Sequence, residues 1–122
     1  MGEFMEVSPE QLRERTKAFA IRVVKLFRAL PTRPDAQIMG TQLLRSATSV
    51  GANYRAACRG RSRAEFVAKL GIVTEEADES VYWMELLVAT AVVPERRMRE
   101  LMKEGRELTA IFTAARNTSR KR

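Results

Sequence analysis

Residues 62–93 read SRAEFVAKLGIVTEEADESVYWMELLVATAVV, and this stretch decides the fold. Ser62-Arg63-Ala64-Glu65 has the form of a capping box, a hydroxyl residue followed three positions later by a carboxylate. Phe66, Leu70, Val73, Ala77, Val81, Met84, Val88 and Ala91 then recur at the 3.6-residue period of an α-helix. A second apolar set, Ile72, Trp83, Leu86 and Leu87, lies about a third of a turn away. From Val81 to Val93 the only charged residue is Glu85. A helix apolar on more than one side has to be covered on more than one side. A four-helix bundle covers one side, so the rest meets another subunit, or else the first and last helices wrap it more fully than in a simple bundle. The first alternative makes Ile72, Trp83, Leu86 and Leu87 an oligomer interface.

Working outward, Ser8-Pro9-Glu10-Gln11 is another helix start, with Ser8 as N-cap and Pro9 at the first helical position. Leu12, Thr16, Phe19, Val23, Leu26, Phe27 and Leu30 follow at helical spacing, and Pro31 and Pro34 end that helix. Asp35 is placed to cap the next one. Its stripe is Leu43, Leu44, Ala47, Val50, Tyr54, Ala57 and Cys58, running to about Arg59 before Gly60 breaks it. Pro94 marks a joint, and Met98, Leu101, Met102, Leu108, Ile111, Phe112 and Ala115 form the last stripe. Four amphipathic helices with short connections predict an all-α, antiparallel up-and-down four-helix bundle. The expected organisation is an N-terminal extension over 1–7, in which Gly2-Glu3-Phe4 has the look of a cloning scar, a bundle domain over 8–116, and a basic, frayed tail over 117–122.

Composition excludes most enzyme classes. The 122 residues contain no His and one Cys. This removes His-based triads, His-ligated zinc, a Cys-cluster metal site and an internal disulfide. Gly and Pro total 10, too few for a turn-rich β protein. No apolar run is long enough to span a membrane, and a lone thiol fits a reducing cytoplasm. The expectation is a cytoplasmic, non-enzymatic protein with no cofactor, metal or membrane partner.

The net charge of +7 is uneven. Residues 1–63 carry 12 basic and 5 acidic side chains, whereas 64–94 carry Lys69 against six carboxylates. Glu75, Glu76, Asp78 and Glu79 do not all share one helix face, so they read as an acidic surface that offsets nearby Arg side chains. Cys58 sits on an apolar stripe and reads as a core residue. Asn53, with Ser46 before it, is placed to cross-link helices or else to contact a ligand. The strongest signal is Arg45, Arg55, Arg59, Arg61 and Arg63. On a helix the first three lie within about 80° of one another, and the last two follow at the joint. Such a cluster is a phosphate-binding surface that reads backbone and not sequence, or a solvated basic face, or a set of partners for the acidic helix of the same or a neighbouring chain. Tyr54 is the only aromatic near it and points inward by its periodicity.

Three stretches then resemble a known family. They are QLLRSATSVGANYR over 42–55, RSRAEF over 61–66, and EADES with YWMELL over 76–87, with the Leu30-Pro31 joint in place. Over roughly residues 10–112 the chain resembles the small four-helix proteins first noted in intervening sequences of large-subunit ribosomal RNA genes. That family is similar to the accessory proteins of diversity-generating retroelements. The resemblance implies a homopentamer with a basic surface that binds RNA or DNA, and a reverse transcriptase as partner. Ala56 stands where many relatives carry Glu, which leaves the Arg55 surroundings more basic. The function expected is nucleic-acid binding as an accessory module, the alternative a protein-interaction or assembly scaffold.

Overall fold

The computed structural model describes residues 7–121, and these form four α-helices: α1 (Pro9–Arg28), α2 (Pro34–Cys58), α3 (Arg63–Ala89) and α4 (Glu95–Arg120). Among the described residues there is no strand. The N-terminal extension expected over 1–7 lies outside the described residues except for Val7, and so does Arg122.

The helix starts follow the local chemistry. Ser8 Oγ accepts from the Gln11 amide at 3.0 Å, and Gln11 Oε1 accepts from the Ser8 amide at 2.9 Å, a complete capping box. Ser62 Oγ likewise accepts from the Glu65 amide at 3.1 Å. The Glu65 carboxylate, however, reaches one residue further back and accepts from the Arg61 amide at 2.8 Å. Asp35 does not cap α2. Pro34 takes the first helical position, where its missing N–H is no loss, so the cap falls on Arg33 without a side-chain bond. Asp35 is left in the first turn, paired with Arg33 Nε at 3.3 Å.

Two helix ends differ from the sequence reading. Ala91 does not extend the α3 stripe. It has φ 63°, is exposed, and sits in the turn that follows the helix. The Val92 amide donates back to the Leu87 carbonyl at 3.0 Å, which reverses the chain there and leaves Ala91 in the left-handed region that favours glycine. The tail from Asn117 onward is helical through Arg120. Ala114, Ala115 and Arg116 are strong helix formers, and a cation in the last turn suits the helix dipole.

Each helix packs on the next, and α4 closes the ring on α1. Phe27 and Leu30 meet Gly40, while Thr16 meets Gly51. Arg45 pairs with Glu76 and Glu79, and Val81 and Met84 meet Gly105. The core is built from the expected stripes, with Phe19, Leu43, Leu70, Met84, Met98, Leu108 and Phe112 fully buried. Tyr54 points inward as its periodicity requires and crosses from α2 to Phe112 on α4, ring centroids 5.1 Å apart. Little room is left between α4 and α3 at Gly105. A Cβ there would lie 3.0 Å from Met84 Cε and 3.1 Å from Val81 Cγ2.

The surplus apolar surface of α3 is partly real. Ile72 is 40% exposed and Tyr82 53%, and Trp83 and Leu86 are half-buried. Leu87 is fully buried in the core of the single chain and does not belong to that outer face. Fifteen residues at 100° each turn it about 60° from Ile72, toward the side that carries Met84.

Candidate anion-binding groove

The five arginines read as one patch are divided by the fold. Helical angle brings Arg45, Arg55 and Arg59 to neighbouring faces, but ten residues separate Arg45 from Arg55, a rise of about 15 Å. Arg45 leans to α3. Its guanidinium pairs with Glu79 and, at 3.4 Å, with Glu76 Oε1. Arg55 and Arg59 turn the other way, to α1. Arg61 and Arg63 are exposed at the α2–α3 joint and do not line the groove described next.

Between α1 and α2 runs a groove of about 730 Å³. Arg13 and Lys17 form one wall, Arg55 and Arg59 the other, and among the described residues Glu14 is the single carboxylate that lines it. None of the four cations belongs to an ion pair among the described residues. The floor is made of small residues, Ala20, Gly51 and Ala52, with Thr16 and Thr48. Gly51 permits that depth, since a Cβ there would come within 3.1 Å of Thr16 Oγ1. Both threonine hydroxyls donate to carbonyls of their own helices, Thr16 to Leu12 at 2.9 Å and Thr48 to Leu44 at 2.8 Å. The cations are therefore the free donors of the groove, a composition suited to phosphate oxygens. Cys58 also lines it, half-buried.

Arg13 and Lys17 were not singled out from sequence. The available signal was their i, i+4 spacing on α1 together with the small residues Gly51 and Ala52 on α2. The expected helix cross-link at Asn53 is also elsewhere. Asn53 Nδ2 donates to the Ser49 carbonyl of its own helix at 2.9 Å, while Ser46 and Ser80 join α2 to α3, Oγ to Oγ, at 3.0 Å. A further tie was not anticipated. Arg15 bridges α1 to Glu104 and Glu107 of α4 at 2.6 and 3.0 Å.

The acidic segment of α3 serves as a partner set. Among the described residues no three acidic or thiol side chains converge as a metal site would require. Glu79 accepts from Trp83 Nε1 at 3.1 Å as well as from Arg45. The Trp83 bond first, and the Arg45 pair with it, hold the Glu79 carboxyl below its ordinary value of 4.5, against a partial desolvation that opposes them. A depressed carboxyl stabilises the fold above its unfolded value and loses that contribution as pH falls through the folded one. Trp83 emission should therefore change in a step below pH 4.5, and Glu79→Gln should remove the step. A wild-type titration with no such step would show that the indole does not sense this carboxylate.

A model of the 23S rRNA-intervening sequence proteins matches residues 10–114. The chain belongs to that family. Among solved structures, this family member is similar to a Bacteroides thetaiotaomicron VPI-5482 protein of unknown function from the S23 ribosomal protein family. The two share 32% identity and a TM-score of 0.83, over 89% of this chain and 97% of the other. No protein of curated function matches it. Among the described residues of this intervening-sequence protein, no helix is long and apolar enough to cross a membrane.

Proposed function

We propose that this protein binds the phosphate backbone of nucleic acid, RNA or DNA, as a non-enzymatic, homo-oligomeric accessory module of the cytoplasm. The observation that carries the proposal is the α1–α2 groove, where Arg13, Lys17, Arg55 and Arg59 face solvent and, among the described residues, have no carboxylate partners. Of the sequence-predicted set, Arg55 and Arg59 form its α2 wall, and Arg61 and Arg63 are exposed cations at the α2–α3 joint that extend the basic surface. Arg45 leaves the set, because Glu76 and Glu79 occupy it. The unit is taken as an antiparallel up-and-down bundle, supported by pairings such as Thr16 with Gly51 and Phe27 with Gly40, and its assembly as a pentamer. A reverse transcriptase is the protein partner that the family resemblance suggests. Symmetry would repeat the groove around the ring, so weak phosphate contacts act together.

Each phosphate neutralised contributes about 0.7–0.9 to the slope of log affinity against log salt. The double substitution Arg13→Gln with Arg55→Gln is thus expected to flatten that slope by roughly 1.4–1.8 per occupied groove and leave the helical circular dichroism unchanged. Fluorescence anisotropy of labelled mixed-sequence oligonucleotides across a salt series measures it. No binding at low salt, or an affinity indifferent to salt, would overturn the proposal. The second reading, an assembly scaffold without nucleic acid, is favoured by a different observation, the exposed Ile72 and Tyr82 on α3.

A further inference from the structure

We infer that the α1–α2 groove selects a single-stranded nucleic acid over a duplex and holds it by its phosphates with the bases turned outward. The inference rests on the backbone-binding function proposed above and names the form of nucleic acid that the same site takes. Three observations lead to it.

The first is register. Thr16 lies beside Gly51 and Phe27 beside Gly40, so a step forward on α1 is a step backward on α2. Arg13 then comes level with Arg55, and Lys17 level with Gly51. Arg59 stands one turn beyond Arg55. The four cations form a ladder of three levels along the groove, each separated from the next by four residues, or about 6 Å of helical rise. The second is width. α1 and α2 are in contact, so the groove is a furrow on the surface between two helices with axes about 8–10 Å apart, narrower than a B-form duplex, whose major groove alone is about 12 Å wide. A duplex can rest on the rims and offer one strand's fixed phosphates to part of the ladder. A single strand can lie along the furrow and adjust its backbone to all three levels. The third is the floor. Gly51, Ala52 and Ala20 let a backbone approach closely, and among the described residues no aromatic side chain lines the groove to stack a base, since Tyr54 is buried in the core. Phosphates inward and bases outward is the arrangement this lining accepts, which leaves sequence unread.

The inference makes a prediction that a plain basic patch does not share. A duplex presents one charge per 1.7 Å of axis and a single strand one per 3.4 Å, so charge density alone favours the duplex. The test compares a labelled oligothymidylate of about twelve nucleotides with a blunt duplex of equal length, by anisotropy at low salt. The single strand is expected to bind about tenfold more tightly or better, a difference of 1.4 kcal/mol. Arg13→Gln with Arg55→Gln should erase that preference, because it empties the middle level of the ladder. Equal binding of both forms, or tighter binding of the duplex, would overturn the inference and leave backbone binding standing. Binding of neither form at low salt would overturn the function beneath it. Unchanged preference in the double variant, with helical content intact, would also overturn the inference, because the groove would not be its source.

Discussion

Phe112→Ala is expected to destabilise the fold by about 3–5 kcal/mol, the usual penalty for emptying a fully buried aromatic site. Phe112 has no exposed surface and lies against the Tyr54 ring, which reaches it from α2. Its removal takes away apolar burial and a ring contact, and leaves a void in the centre of the fold. The neighbours are poorly placed to collapse into the void. Tyr54 is held in α2 by the helix backbone, and Met84 already fills the space above Gly105. Domains of this size are stable by about 5–15 kcal/mol, so the substitution removes a large share of the total. In a thermal melt it should lower the midpoint by roughly 10–20 °C. Tyr82→Ala provides the contrast, since that side chain is 53% exposed and its loss should scarcely move the midpoint of an isolated chain. A Phe112→Ala penalty below about 1 kcal/mol would mean that the core can close around the gap, which is not the packing seen.

The helices were legible because their signals are local. A capping hydroxyl, a proline at the first turn and an apolar stripe each act within a few residues, and they place the start of α1 at Ser8 and Pro9 and the start of α3 at Ser62, as observed. The errors came where two local signals competed. Asp35 is a better cap than Arg33 by residue type, but Pro34 fixes the first helical position and leaves Asp35 inside it. Ala91 continues the α3 period in sequence, but the chain turns before it, and only the reversal at Leu87 and Val92 reveals that.

The site was less legible, because it depends on which helix lies on each side of α2. Helical angle placed Arg45 with Arg55 and Arg59, yet it carries no information about axial separation or about neighbours. Once α3 lies on one side, its Glu76 and Glu79 capture Arg45. Once α1 lies on the other, Arg13 and Lys17 join Arg55 and Arg59. Of the acidic segment, Glu76 and Glu79 offset an arginine, and which arginine they offset is a tertiary fact. The same holds for Arg15, whose partners on α4 are 89 and 92 residues away in sequence.

The proposed assembly carries the other large expected effect. Ile72→Glu with Tyr82→Glu should convert the proposed oligomer to a smaller species, ideally the monomer, while circular dichroism and the thermal midpoint of the single chain stay close to wild type. The two positions are chosen because they are the most exposed apolar side chains of α3. Trp83 is a poorer choice, since it is half-buried and its indole N–H is bonded to Glu79, so a change there would disturb the bundle as well. A carboxylate forced into an apolar contact without a partner costs several kcal/mol. A loss of about 3 kcal/mol weakens an interface by a factor on the order of 100. In a closed ring each subunit meets two neighbours, so the penalty recurs at every contact. Glu75 and Glu79 lie on neighbouring positions of the same face, so the added charges also meet like charge there. Light scattering coupled to gel filtration at micromolar concentration measures the mass. A wild-type chain that ran as a monomer would remove the assembly from the proposed function. An oligomer that survived both substitutions would move its interface away from α3, and the surplus apolar surface of that helix would then need a different occupant.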